Sequence, residues 1–238
     1  MKMLYPIFIT IIALAGCAKR GTDNTGPSNT MNKVPVDSLN YLALGDSYTV
    51  GEAVPADQSF PYQLAAWLTD HNVPVHTPTI IATTGWTTDE LINDLFHDPI
   101  TGKKFDFVTL LIGVNDQYRH LSQDNYRNRF QRVLDTAISF ANGNKTHVFV
   151  LSIPDWGVTP FAAGQDSIIG PQIDQFNAIN KQISVNAGVN YLDITGISRQ
   201  AANDPSLIAS DGLHPSGKMY AEWVQLLVPM VSAQLKRN

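Results

Sequence analysis

From residue 37 onward, short apolar runs alternate with longer amphipathic segments, and this alternation restricts the fold more than any other feature of the sequence. Repeated strand and helix units of this kind build a parallel sheet that is covered by helices on both faces. The pattern therefore predicts an α/β protein, in which right-handed crossovers place the helices against the sheet. The expected architecture is a three-layer α/β/α sandwich around a five-stranded parallel sheet.

The predicted strands are at residues 40–44, 75–82, 107–112, 147–153 and 189–194. The predicted helices are at residues 60–69, 88–96, 123–140, 171–187 and 215–235. The run at 107–112 is almost entirely apolar, which is typical of a strand buried on both faces, whereas Pro78 interrupts the second strand. Pro171 and Pro215 are interpreted as first-turn residues of their helices, where proline is favoured.

The composition indicates one soluble globular domain, because 44% of the 238 residues are hydrophobic and 16% are charged. The net charge is -5 and there is no basic block, so nucleic acid is not expected as a partner. A single cysteine excludes an intramolecular disulfide. His71 and His76 lack a third ligand at metal-site spacing, so neither a metal nor a cofactor is expected. We expect a monomer.

Residues 1–16 contain Lys2, the apolar segment LYPIFITIIALA and then small residues before Cys17. This segment is too short for a permanent membrane span and is typical of a secretory signal peptide. Its last residues with Cys17, Leu-Ala-Gly-Cys, resemble the lipobox of bacterial lipoproteins, although an ordinary signal peptide with an incidental cysteine is the alternative. The resemblance implies that Cys17 is lipidated and anchors the protein to a bacterial membrane outside the cytoplasm. Residues 17–36 then form the lipidated cysteine and a flexible polar tether, and residues 37–238 form the domain.

Four loops at the predicted strand exits have an unusual polar content. They are GDS at 45–47, TTGWTT at 83–88, GVND at 113–116 and DGLH at 211–214. Singly, each is explained as a turn glycine or a helix cap. In an open parallel sheet, however, such loops converge on one edge, where ligands bind. Four of them in this order therefore predict a functional site.

These loops supply the groups that acyl transfer to serine requires, namely a nucleophile, a base, an orienting acid and oxyanion donors. Ser47 is the candidate nucleophile, His214 the candidate base and Asp211 the acid that orients it. The candidate oxyanion donors are the backbone amides of Ser47 and Gly85 and the side-chain amide of Asn115. Taken alone, Ser47 is equally well explained as a helix cap.

The segments GDSYTVG, TTGWTT, IGVND and DGLH resemble the four conserved blocks of the SGNH/GDSL hydrolases, which are named for a catalytic Ser, Gly, Asn and His. The resemblance covers residues 41–235 and implies a flavodoxin-like sandwich that hydrolyses carboxylic esters or thioesters without a metal. It assigns the triad to Ser47, Asp211 and His214, and the oxyanion hole to Ser47, Gly85 and Asn115. Thr49 replaces the second glycine of GxSxG, which argues against an α/β-hydrolase nucleophile elbow.

The predicted function is therefore a serine hydrolase that cleaves carboxylic esters through an acyl-enzyme on Ser47. The esterase, lysophospholipase and carbohydrate deacetylase types all remain open, so the expected substrate is a small-molecule, glycan or lipid ester. Acyl transfer to an acceptor other than water would use the same residues. The alternative is a non-catalytic surface lipoprotein that uses the sandwich as a glycan-binding scaffold, and the intact triad counts against it.

Several residues beside the predicted site have two interpretations each. Trp86 either forms a wall of the substrate site or packs within its loop. In the loop after the fourth strand, Asp155, Trp156 and Phe161 either line the cleft or pack within the loop. Residues 118–120, Tyr-Arg-His, either meet a polar or anionic leaving group or form a solvated helix start.

Overall fold

The computed structural model of the protein describes residues 38–97, 100 and 102–235. The predicted signal peptide at 1–16 and the predicted lipidated Cys17 and tether at 17–36 lie outside the described residues. Within the described ranges, no helix is both long enough and apolar enough to cross a membrane.

The described residues form five strands and eight α-helices. The strands are β1 (Tyr41–Gly45), β2 (Thr79–Ala82), β3 (Phe107–Leu111), β4 (Val148–Leu151) and β5 (Asn190–Leu192). The helices are α1 (Ser47–Val50), α2 (Phe60–Asp70), α3 (Thr88–His97), α4 (Val114–Tyr118), α5 (Gln123–Phe140), α6 (Asp166–Ala187), α7 (Thr195–Arg199) and α8 (Gly217–Gln234). Short 3₁₀ turns occur at Ala56–Gln58, Lys145–His147, Trp156–Val158, Pro160–Ala162, Gln200–Ala202 and Pro205–Leu207.

The five strands form one parallel sheet in the order β2-β1-β3-β4-β5. The chain steps from β1 outward to β2, then crosses back past β1 to β3 and continues in that direction. Because the crossovers are right-handed, this reversal places α2 on one face of the sheet and α3, α5 and α6 on the other. Helix α8 packs against α2. The predicted α/β class with a five-stranded parallel sheet is confirmed.

The centre of the sheet is buried on both faces, since every residue of β1 and β3 is buried. The prediction for the apolar run at 107–112 is confirmed by this burial. In the register between the two strands, Gly45 is paired with Leu111, so their carboxyl ends lie side by side. The chain leaves these two ends in opposite directions, which opens a crevice where ligands bind in folds of this type.

The second strand is shorter than predicted and begins at Thr79 rather than at residue 75. Pro78 has no N–H to donate to a neighbouring strand, so regular pairing starts only after it. Val75 forms no more than an isolated parallel bridge with Leu39.

The predictions for Pro171 and Pro215 as first-turn residues are wrong. Helix α6 begins before Pro171 and contains it, because the burial of Ile169, which is 3% exposed, holds the preceding turn against the core. Pro215 precedes α8 and forms an antiparallel bridge with Ile208. The start of α8 is set by Ser216, whose side chain accepts a hydrogen bond from the amide of Met219.

Candidate active site

Ser47 is the first residue of α1, directly beyond the carboxyl end of β1. The helix is capped by Asp46, whose Oδ1 accepts a hydrogen bond from the Tyr48 amide at 3.0 Å. Since Asp46 is the cap, the Ser47 hydroxyl is not needed for that purpose and is available for chemistry.

The sharp turn into α1 depends on Gly45. A Cβ atom at this position would lie 2.1 Å from Thr49 Oγ1 and 2.4 Å from the Leu111 carbonyl oxygen. Only glycine permits this approach between β1, α1 and β3. The close packing fixes where Ser47 emerges from the sheet.

The structure brings the three residues of the predicted triad together. The Nε2 atom of His214 is 3.0 Å from Ser47 Oγ, and its Nδ1 atom is 2.6 Å from Asp211 Oδ2. When Nδ1–H donates to the carboxylate, Nε2 carries the lone pair that accepts the serine proton. The arrangement can therefore activate a hydroxyl nucleophile.

Both oxygens of the Asp211 carboxylate accept hydrogen bonds within its own loop. Its Oδ1 accepts hydrogen bonds from the amides of Leu213 and His214, both at 3.0 Å. Partial burial raises the pKa of Asp211, but the hydrogen bonds from the His214 ring and from these amides outweigh it and leave the pKa below its ordinary value. Asp211 is thus held ionised, as the partner of an imidazolium must be.

The loop 207–216 that carries His214 is closed by its own backbone. The amide of Ala209 donates to the His214 carbonyl at 2.8 Å. The Tyr48 ring and the imidazole form a T-shaped contact with 5.6 Å between ring centroids, and His214 is 8% exposed. These contacts fix the orientation of the imidazole before any substrate binds.

The predicted oxyanion donors line the same cavity as Ser47 and His214. Within the part of the chain that the structure describes, the backbone amides of Ser47 and Gly85 donate to no protein acceptor. Asn115 Nδ2 donates one hydrogen bond, to the Trp86 carbonyl at 2.9 Å. Because an amide NH₂ group has two hydrogens, one remains for a ligand. The site therefore has free donors for developing negative charge.

Arg119 holds the backbone of the Gly85 loop. Its Nη2 atom donates to the Gly85 carbonyl at 2.5 Å, and its Nη1 atom is 3.2 Å from Glu90 Oε1. Gly85 itself has a φ angle of +86°, which L side chains rarely adopt. From the sequence alone, Arg119 had no assigned role of this kind. Its position four residues after Asn115, on the same side of one helical turn, is the signal that could have indicated it.

Two fully buried carboxyl groups flank the site. Asp116 Oδ2 accepts hydrogen bonds from the amide and hydroxyl of Thr88, at 2.8 Å and 2.7 Å, and so ties α4 to the start of α3. Burial raises the pKa of Asp116, although these bonds oppose it. Burial also raises the pKa of Asp46 to about 8. Among the described residues, no group of three or more acidic, histidine or cysteine side chains is arranged to hold a metal ion.

The cavity in front of Ser47 has a volume of about 170 Å³. Its apolar walls are Val114, Tyr118, Trp156, Phe161 and Leu213. Trp86 does not line it, contrary to its interpretation as a substrate wall, because its side chain packs against the core. Asp155 does not line it either; it is 3% exposed and forms an ion pair with Arg199 at 2.9 Å.

A family model for the GDSL-like lipase/acylhydrolase family matches residues 43–222, from the strand before Ser47 into α8. The chain belongs to this family. As a member, it is an ester hydrolase in the general sense of that description. A comparison with curated protein sequences finds no match.

Solved structures with a similar fold include several esterases. A lipase/acylhydrolase from Enterococcus faecalis has a TM-score of 0.65 and 17% identity, over 84% of this chain and 98% of that chain. The psychrotrophic esterase EstA from Pseudoalteromonas sp. has a TM-score of 0.64 and 13% identity, over 84% of this chain and 100% of that chain. The acetylxylan esterase Axe2 from Geobacillus stearothermophilus has a TM-score of 0.62 and 16% identity, over 84% of this chain and 95% of that chain. At these identities, the likeness establishes the fold alone.

Proposed function

We propose that the protein is a serine esterase that transfers the acyl group of a carboxylic ester first to Ser47 and then to water. The observation that carries this proposal is the unbroken hydrogen-bond chain from Ser47 Oγ through His214 to Asp211, with distances of 3.0 Å and 2.6 Å. The free amides of Ser47 and Gly85 and the side-chain amide of Asn115 support it, because an acyl transfer develops negative charge on the carbonyl oxygen.

In the first half of the reaction, His214 Nε2 takes the hydroxyl proton as Ser47 Oγ attacks the ester carbonyl carbon. The carbonyl oxygen becomes an oxyanion and accepts hydrogen bonds from the amides of Ser47, Gly85 and Asn115. Collapse breaks the bond to the alcohol oxygen, which takes the proton from His214. Asp211 stabilises the imidazolium while it exists.

In the second half, a water molecule attacks the acyl group on Ser47, and His214 accepts the water proton. The tetrahedral intermediate releases the carboxylic acid, and Ser47 Oγ regains its proton from His214. No metal or cofactor takes part in this proposed sequence.

The size of the cavity favours a short acyl group. With about 170 Å³ and mainly apolar walls, it holds an acetyl or similar short group against Ser47. One of the proteins of similar structure is an acetylxylan esterase, which agrees with a small acyl group. We therefore place simple esters and carbohydrate esters ahead of lysophospholipids.

We also propose that lipidated Cys17 anchors the enzyme to a bacterial membrane, outside the cytoplasm. The support is the apolar segment that ends in Leu-Ala-Gly-Cys, followed by a polar tether. Replacing Cys17 with Ala should release the enzyme from the membrane fraction. Unchanged membrane association of that variant would contradict lipid anchoring through Cys17.

The central test is the variant Ser47→Ala, assayed on p-nitrophenyl acetate. We expect kcat/KM to fall by at least about 10⁴-fold, because the attacking oxygen is lost. The matched control is Ser139→Ala, an exposed serine on α5, which should keep full activity. A fluorophosphonate should label the wild type and fail to label Ser47→Ala. Undiminished turnover by Ser47→Ala would rule out Ser47 as the nucleophile. Absence of turnover and of fluorophosphonate labelling in the wild type itself would favour a scaffold role, in which the sandwich only binds glycans.

A further inference from the structure

A second cavity, of about 240 Å³, adjoins the cavity in front of Ser47. The two share three aromatic residues, Tyr118, Trp156 and Phe161, which we term the aromatic wall. The second space, beyond this wall, is termed the outer cavity. An ester whose carbonyl lies at Ser47 can extend over the wall into the outer cavity, and the mechanism above leaves that space unused.

The aromatic wall is fixed at its centre and exposed at its ends. Trp156 is 9% exposed, whereas Tyr118 is 49% and Phe161 is 51% exposed. The Trp156 ring packs against both neighbours, with centroid distances of 5.4 Å to Tyr118 and 6.0 Å to Phe161. Its Nε1–H donates to Gln117 Oε1 at 2.8 Å. Exposed aromatic faces on a fixed support are suited to stacking on a ligand ring.

The outer cavity also carries polar side chains, namely Gln117, His120, Gln165 and Gln172. Gln117 Nε2 donates to Gln172 Oε1 at 2.7 Å, so the Gln172 oxygen is occupied while its NH₂ group remains available. Gln165 is the exposed residue that precedes α6. Gln165 can offer both a donor and an acceptor in one plane, and Gln172 can offer its NH₂ group, which suits neighbouring hydroxyl groups on a ring.

The outer cavity has no strongly charged lining residue, since none of the residues that surround it is Asp, Glu, Lys or Arg. The nearby Arg119 is engaged by the Gly85 carbonyl and by Glu90. A phosphate headgroup would need arginine or lysine donors to offset its charge. The lining therefore matches a neutral ligand with many hydroxyl groups better than a phospholipid headgroup.

We infer that the outer cavity binds the sugar ring of a carbohydrate ester, whose acyl group lies against Ser47. This inference rests on the proposed esterase function. In the reaction, the bond between the acyl carbon and the sugar oxygen breaks, and that oxygen takes its proton from His214. The sugar then leaves through the outer cavity, and water releases the acid from Ser47.

The test compares 6-O-acetylglucose with ethyl acetate, which has the same acyl group but no ring hydroxyls, by measuring acetate release. We expect the wild type to prefer 6-O-acetylglucose in kcat/KM. The measured quantity is the kcat/KM for 6-O-acetylglucose divided by the kcat/KM for ethyl acetate. Gln165→Ala should lower this ratio, because hydrogen bonds to the ring are lost. The double variant, Gln165→Ala with Gln172→Leu, should lower it by about tenfold. Gln175→Ala, an exposed glutamine on the same helix outside the cavity, should leave the ratio unchanged.

The inference is overturned if the wild type shows no preference for the sugar ester, or if the double variant keeps the wild-type ratio. Preferential cleavage of lysophosphatidylcholine over 6-O-acetylglucose would also overturn it. In each of these cases the wild type still cleaves an ester through Ser47, so the proposed serine esterase mechanism stands. A preference for lysophosphatidylcholine would reverse only the proposed order of substrates. Failure of the proposed function is distinct, because Ser47→Ala would then match the wild type on p-nitrophenyl acetate. Gln165 is exposed, so the single variant Gln165→Ala is expected to fold. It therefore provides the ratio of kcat/KM values even if the double variant does not fold.

Discussion

The acid–base side of the active site is a single loop, residues 207–216, whereas the oxyanion side joins loops that are far apart in sequence. Asp211 binds the amides and the ring of residues two and three positions away. On the oxyanion side, Asn115 holds the Trp86 carbonyl and Arg119 holds the Gly85 carbonyl. The acid–base loop is therefore held by contacts within itself. The oxyanion side is held by contacts between the loop that follows β2 and the segment that follows β3.

The largest effect is expected on the acid–base side, from Asp211→Asn. We expect kcat for p-nitrophenyl acetate to fall by about 10⁴-fold, because a neutral amide neither holds the required imidazole tautomer nor stabilises the imidazolium. Asp204→Asn is the matched control, since this exposed carboxylate pairs with Lys218 and lies outside the site. A loss smaller than about tenfold in kcat would remove Asp211 from the triad.

A smaller effect is expected on the oxyanion side, from Asn115→Ala. This variant removes one of three donors, so kcat should fall by about 10²-fold to 10³-fold, while KM changes little. Asn125→Ala, at an exposed position of α5, is the control and should retain wild-type kinetics. If Asn115→Ala raised KM and left kcat unchanged, the amide would contact the bound ester in its ground state, and the oxyanion assignment would be wrong.

The same contrast explains what could be predicted from the sequence. The alternation of strands and helices was sufficient to predict the parallel sheet. Asp211 and His214 lie within one loop, so their short separation in the sequence was sufficient to predict that they pair. The role of Arg119 was missed because its partner, Gly85, is 34 positions away and the contact exists only once two strand exits are adjacent. The start of α6 was misplaced for a related reason, since burial of Ile169 against the core outweighs the local signal of Pro171.

The smallest effect is expected from Arg119→Ala, which tests whether contacts between loops position an oxyanion donor. Without the guanidinium, the Gly85 carbonyl is free to rotate, and its peptide neighbours, including the Gly85 amide, lose their fixed orientation. We expect kcat to fall by about tenfold, equivalent to about 1.4 kcal/mol of transition-state stabilisation, with KM nearly unchanged. Arg119→Lys should recover only part of kcat, because an ammonium lacks the planar fork that reaches both Gly85 and Glu90.

Thermal unfolding separates positioning by Arg119 from a purely structural role. The ion pair of Arg119 with Glu90 is 45% and 42% exposed, so its loss should change stability by less than about 1 kcal/mol. Arg129→Ala removes another arginine pair at the start of α3, with Asp89, in which the arginine is half-buried, and it should leave kcat near wild type. If Arg119→Ala instead raised KM alone, the arginine would contact the ester itself. The oxyanion side would then need no support from outside its own loops, and the contrast with the acid–base loop would disappear.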